Sequence, residues 1–303
     1  MNKKLRKILS KVDYYFISSG ITFLDNMLMT LDDKYYLHRI EHPPSPLFIC
    51  TIDGTKPNLN DIVFYNDCLA YLHDVPFIFR SAKQSKNSPH KPIKPIKKNK
   101  YITKDTSYYD TNIQNVFDAI TDIKFNGNIL FLWEESYLKA VNINLHSKYR
   151  SVLKEIQLYS MALKQVDPLT EFLCYYRVIE SVSGNNGKTW IRNNLGDSIQ
   201  FDYGFVEIIE SYTLNPPSRR RNLFTAYKTR ARRRIAHLNS SLGTTPIEKY
   251  LYNEIRCGVA HGKDNVVTYD YDTNLKEISK DIFIIKLLAR YAIEKKAITS
   301  GSS

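Results

Sequence analysis

The chain has 303 residues, 43% hydrophobic and 24% charged, a composition that excludes wholesale disorder and a length that points to two domains. Its formal net charge of +12 favours polyanionic partners, nucleic acid first and an anionic membrane surface second. The four cysteines (Cys50, Cys68, Cys174, Cys257) show no metal-ligand spacing and read as core thiols of a reducing compartment.

The basic start, Met1 to Lys11, runs into a segment interrupted by Asp13 and Asp25, a poor signal-peptide core. No apolar run approaches the roughly 20 residues that span a bilayer. A soluble cytoplasmic protein with no membrane association is the expectation.

Residues 1–143 read as an α+β module, mixed and strand-rich. Leu47–Asp53, Asp61–Asn66, Val75–Arg80 and Asn128–Trp133 are short apolar runs rich in β-branched and aromatic residues, bounded by turn formers. A helical pattern fits Cys68–Leu72 and Asn115–Ile123. Ser81–Lys104 holds eight Lys, three Pro and no acid, which predicts a flexible basic loop with an RNA-binding arm as the alternative. The module's role stays open, a docking surface for a protein partner included.

From residue 144 to 303 the period becomes helical. Leu153, Ile156, Leu158, Met161 and Leu163 mark a first helix, and Asp167-Pro168 supplies an N-cap and an N1 proline for a second, stopped by Ser183–Gly187. A long connection is expected from Trp190 to Thr244, with some helical character near Phe205–Ser211. Thr245 to Glu248 has the spacing of a capping box with proline at N1 and opens a third helix, ending near Gly262. A strand-like Val266–Asp272 then leads to a last helix carrying Ile278, Ile282, Ile285, Leu288 and Ala292. The expectation is an all-α bundle.

No Walker loop, GxGxxG, HExxH, CxxC or GxSxG is present, so the common phosphate-loop, zinc and serine-hydrolase readings lack support. What remains is Glu254 to Asn265, EIRCGVAHGKDN. Arg256-x4-His261 at a helix end resembles the signature of the HEPN superfamily, Arg-x(4–6)-His. The upstream YYRVIESV and the closing AHG look most like its Apea-like and methylamine-utilisation J-type branches. The family often places Asn, Asp or His directly after the arginine, where this chain has Cys257.

The resemblance implies an HEPN-like domain over the C-terminal half, a homodimer, and metal-independent endoribonuclease activity without cofactor in phage defence or a toxin-like stress response. His titrates near neutrality and serves as general acid or base, while Arg holds a phosphoryl oxygen as negative charge builds. Glu180 on the upstream helix stands as a residue to orient Arg256, or as a structural ion-pair partner. Five residues on an ideal helix leave two side chains about 140° apart. A loosened last turn or a two-fold partner would bring such a pair onto one phosphate.

Spacing alone is weak, because a second copy, Arg232-x4-His237, lies in an arginine-saturated stretch. Asn215 to His237 carries Arg219, Arg220, Arg221, Arg230, Arg232, Arg233 and Arg234 with no acid, and reads as an RNA-binding stripe in which Phe224 and Tyr227 stack on bases. The competing readings are a non-catalytic RNA- or protein-binding HEPN-like module, and a DNA-binding accessory subunit.

Overall fold

The computed structural model describes residues 15–19, 28–39, 47–51, 57–81, 141–184, 186–203, 217–261 and 271–301. The chain divides into two units. The first comprises Met1–Leu69, Val75–His146 and Glu207–Asn215, and the second Ala70–Asp74, Ser147–Val206 and Pro216–Ser303.

In the first unit, β1 (Tyr15–Ser19), β2 (Leu28–Leu31), β3 (Tyr35–Arg39) and β4 (Leu47–Thr51) precede α1 (Leu59–His73), whose last turn counts with the second unit. β5 (Phe77–Ser81) and β6 (Val141–Ile143) complete a sheet of order β5-β1-β4-β3-β2-β6. All neighbours are antiparallel except β2 and β6. Asp32 and Asp33 turn β2 into β3 with φ of 50° each, a backbone that aspartate tolerates better than branched residues.

α1 lies against this sheet through Tyr65, whose ring meets Tyr35 at 5.2 Å and whose hydroxyl donates to Asp32 at 2.9 Å. Tyr35 donates to Asp61 at 2.7 Å, and Asn66 donates to the Phe77 carbonyl at 3.2 Å.

The strand-rich α+β reading requires correction. Helical residues outnumber strand residues several-fold among the described residues, so the described part of the chain is predominantly helical. Asp61–Asn66, expected as strand, lies inside α1. The run IVFY continues into CLAYL, and burial sustained from Ile62 to His73, eased only at the half-buried Val63, suits a helix, where a strand would end after four to eight residues. The expected strand Asn128–Trp133, the helical pattern at Asn115–Ile123 and the body of the basic loop (82–104) lie outside the described residues.

The second unit is built from helices. Beyond the short α2 (Leu145–Tyr149) and a 3₁₀ turn at Arg150–Val152 come α3 (Leu153–Leu163), α4 (Pro168–Ser183), α5 (Gly187–Gln200) and α6 (Pro217–Ser241). α7 joins Ile247–Lys249, a π-helical stretch Tyr250–Arg256 and Cys257–His261, and α8 (Tyr271–Gly301) is the longest helix. α4 starts as its sequence dictates, with the Asp167 carboxylate accepting from the amides of Leu169 and Thr170. It stops at Gly184, whose φ of 59° is left-handed. α8 is buried on nearly all sides from Asp281 to Glu294, which marks it as the central helix of the unit.

One further expectation is overturned: the connection Trp190–Thr244 is occupied by α5 and α6, while the expected helical character near Phe205–Ser211 and the strand-like run up to Asp270 lie outside the described residues. α6 hides its register: Phe224, Tyr227, Ala231, Arg234 and Leu238 repeat at three and four residues, with an arginine in one inward slot. The capping box does not form either. Glu248 accepts from Arg192 at 2.8 Å, and the helix opens behind Pro246 with no side-chain cap.

Candidate active site at the end of α7

The π-helical turn sets the frame. The amide of Cys257 reaches back five residues to the Tyr252 carbonyl, and regular α-helix resumes through His261. Such turns are rare and concentrate at functional positions. Arg256 closes the π stretch, and His261 ends the helix, exposed. Between them the α step applies, so the divergence of about 140° stands along this segment.

Arg256 points to α4. Its Nε donates to Glu180 Oε1 at 3.0 Å and its Nη2 lies 2.9 Å from the same oxygen. The guanidinium also sits 5.7 Å from the Tyr252 ring centre, and Lys188 lies 5.6 Å from that ring. Burial works against the charge on Arg256, but the Glu180 carboxylate outweighs it and holds the guanidinium more firmly protonated than usual. Side chains of Arg256 and Glu180 remain 27% and 19% exposed, enough for a ligand to reach them.

Tyr176, one turn before Glu180 on α4, was not foreseen. It is fully buried, and its hydroxyl has no hydrogen-bond partner among the described residues. Burial first, and the Glu180 carboxylate second, push its pKa up, so it stays a neutral donor. Gly187 admits this hydroxyl, because a Cβ there would stand 3.0 Å from it. The YYRVIE pattern, with Tyr176 and Glu180 on one helical face, was the available signal. Cys257 is half-buried beside the cluster.

The second Arg–His copy divides. Arg232 is exposed and, on helical geometry, about 140° from His237. Of the arginine stripe, Arg230, Arg232 and Arg233 are exposed, while Arg219, Arg220 and Arg221 lie in the first two turns of α6 with side chains outside the described set.

Arg234 is withdrawn from phosphate contact. It is 6% exposed and forms a two-point pair with Asp281 at 2.6 and 3.1 Å, plus a contact to Glu277 at 2.6 Å. Tyr227 and Phe224 are also committed inward: their rings meet at 5.5 Å, Tyr227 touches Phe283 and Phe224 stacks on Tyr203. Base stacking on these two rings is therefore corrected to core packing.

No group of three or more metal-ligand side chains occurs among the described residues. Nor is any described helix long and apolar enough to cross a membrane.

Residues 156–294 match the family model of the methylamine utilization protein MauJ, a span of just under half the chain that contains Glu180, Arg256 and His261. No curated protein and no solved structure matches.

Proposed function

We propose that the chain is a metal-independent endoribonuclease of HEPN type, acting in the cytoplasm as a homodimer in phage defence or a toxin-like stress response. The observation that carries the reading is Arg256, held by Glu180 yet accessible, on the helix that ends in the exposed His261. The match to the MauJ family over this same span is consistent with the HEPN resemblance of the motif.

In this reading the RNA's 2′-oxygen attacks the adjacent phosphorus and its proton passes to a base. The bond from phosphorus to the 5′-oxygen breaks, and that oxygen takes a proton from the acid. His261, exposed at the end of α7, fills the acid role. Arg256 binds a non-bridging oxygen as negative charge accumulates. The products are a 2′,3′-cyclic phosphate and a 5′-hydroxyl. The test is incubation of the purified protein with RNA in EDTA, wild type beside His261→Ala. Cutting that needs Mg²⁺, or that survives the substitution, removes the proposal.

A second reading has its own observation: the two-point grip of Glu180 on Arg256 is also what a purely structural ion pair looks like, and Cys257 departs from the family pattern. That reading is a non-catalytic RNA- or protein-binding module. RNA binding without any cleavage would select it.

A further inference from the structure

A cavity of about 380 Å³ lies between α6 and α8, lined by Arg230, Arg233, Arg234, His237, Lys280 and Phe283. On α6 the four lining residues fall within an arc of about 100°, one face of the helix. On α8, Lys280 and Phe283 stand one turn apart. The volume lies in the range of sites for small ligands, roughly 300–1,000 Å³.

Its electrostatics are specific. Arg234 is matched by Asp281 and Glu277, which fixes the floor, and Lys280 sits 2.5 Å from Glu277. Arg230 and Arg233 pair with no described carboxylate. Four cations thus face two carboxylates among the described residues, an excess of two positive charges. A phosphate monoester carries about −1.5 to −2 at neutral pH, whereas a diester carries only one charge. The excess fits the monoester. The adjoining cavity, which shares Arg234 and His237, adds Glu254 and no further Lys or Arg to its lining.

The cavity also has a flat wall. Arg230 lies 4.9 Å over the ring of Phe283, which also meets Tyr227 at 5.6 Å. Guanidinium planes and aromatic rings are the surfaces on which heteroaromatic bases stack.

We propose that this cavity binds a phosphate monoester carried on a planar ring system, that is, a nucleotide with a terminal phosphate. Arg233 and Lys280 take the phosphate, His237 donates to it, and the Arg230–Phe283 stack takes the base. The proposal is independent of the ribonuclease reading, since none of these residues belongs to the Arg256 cluster. The same chemistry is offered by a free mononucleotide and by the phosphorylated 5′ end of an RNA.

Calorimetric titration of the full chain tests it, with 5′-AMP, adenosine and ribose 5-phosphate as probes. Two 2′-O-methyl RNA oligonucleotides, which cannot be cut through a 2′-oxygen, complete the set, one ending in a 5′-phosphate and one in a 5′-hydroxyl. Saturable AMP binding is expected, at least about tenfold weaker for adenosine and about fivefold or more weaker for ribose 5-phosphate. Arg233→Gln and Lys280→Gln should each weaken AMP about tenfold; both side chains are exposed, so both variants should fold. Lys154→Gln, an equal loss of charge on the exposed face of α3, should not.

A preference of tenfold or more for the phosphorylated oligonucleotide assigns the RNA end as the source. AMP binding without discrimination between the two ends assigns a free nucleotide. The proposal is overturned if neither AMP nor the phosphorylated oligonucleotide binds, if adenosine binds as tightly as AMP, or if Lys154→Gln weakens AMP as much as Arg233→Gln does.

Discussion

A single carboxylate oxygen of Glu180, Oε1, holds two nitrogens of Arg256, Nε at 3.0 Å and Nη2 at 2.9 Å. An arginine has five N–H donors, so this grip fixes the guanidinium plane and still leaves donors for a phosphate. If Glu180 positions Arg256 for catalysis, Glu180→Gln should slow single-turnover cleavage about tenfold and leave RNA affinity within about twofold. Stability should change by less than about 1 kcal/mol, because both side chains are partly exposed. Unaltered cleavage would make the pair merely structural.

The Arg234–Asp281 pair is the opposite case, with side chains 6% and 0% exposed. Asp281→Ala leaves a buried guanidinium without its main partner and should cost about 3–5 kcal/mol. A double replacement, Arg234→Met with Asp281→Leu, should cost much less, because no charge is stranded. Urea unfolding of the two variants measures the difference. Equal losses would show that Tyr250 and Glu277 carry the site instead.

Single-strand binding should draw on the exposed arginines alone. Arg232→Gln with Arg233→Gln removes two candidate phosphate contacts and should lower the log–log salt slope by about 0.7 each. Adding Arg234→Gln should lower stability with no further drop in slope. A slope that falls with Arg234 would contradict its burial.

How far the sequence could be read depends on whether the deciding interaction is local. Asp167, Pro168 and Gly184 delimit α4 through bonds within a few residues, so their pattern was sufficient. The α1 segment was ambiguous because a short apolar run fits strand and helix equally until its neighbours are counted. Arg234 could not be read at all as an inward residue: its burial rests on Asp281 and Glu277, more than 40 positions away. The same holds for Glu248, drawn from its own helix cap to Arg192. The π turn that ends at Arg256 has no sequence signature, and the setting of Arg256 against Tyr252 came only from the fold, whereas its pairing with Glu180 was an expectation of the sequence.

Glu155 gives a pH signature. Its side chain is buried and burial raises its pKa, but hydrogen bonds from Ser181 at 2.6 Å and Lys296 at 2.9 Å outweigh that and hold it below the usual glutamate range. A depressed folded-state pKa contributes stability that is present above the unfolded value of about 4.3 and lost as pH falls through the folded one. Glu155→Gln should therefore destabilise the protein at pH 7, and the gap from wild type should close as the pH drops below about 4. A constant gap from pH 7 to pH 3 would show that packing, not charge, is what the substitution disturbs.

The last prediction concerns assembly. Arg256 and His261 diverge by about 140° on the α-helical end of α7, so one helix cannot easily aim both at a single phosphate. Two copies related by a two-fold axis place two Arg256 and two His261 around one cleft, which removes the difficulty. Ala260 lies exposed between the pair, and its small side chain permits close approach of a second backbone at this end of the helix, whereas Gly258, expected to share that role, is buried within the chain. A homodimer in solution is expected, measured by light scattering under cleaving conditions. Mixing inactive Arg256→Ala and His261→Ala chains should form mixed dimers in about half the population by statistical reassortment. Such dimers carry one intact Arg256 and one intact His261 on opposite chains, so partial recovery of cleavage is expected if the site is shared. A protein that cleaves RNA as a monomer would refute the shared site, and the α7 turn would then have to rotate His261 toward Arg256 by itself.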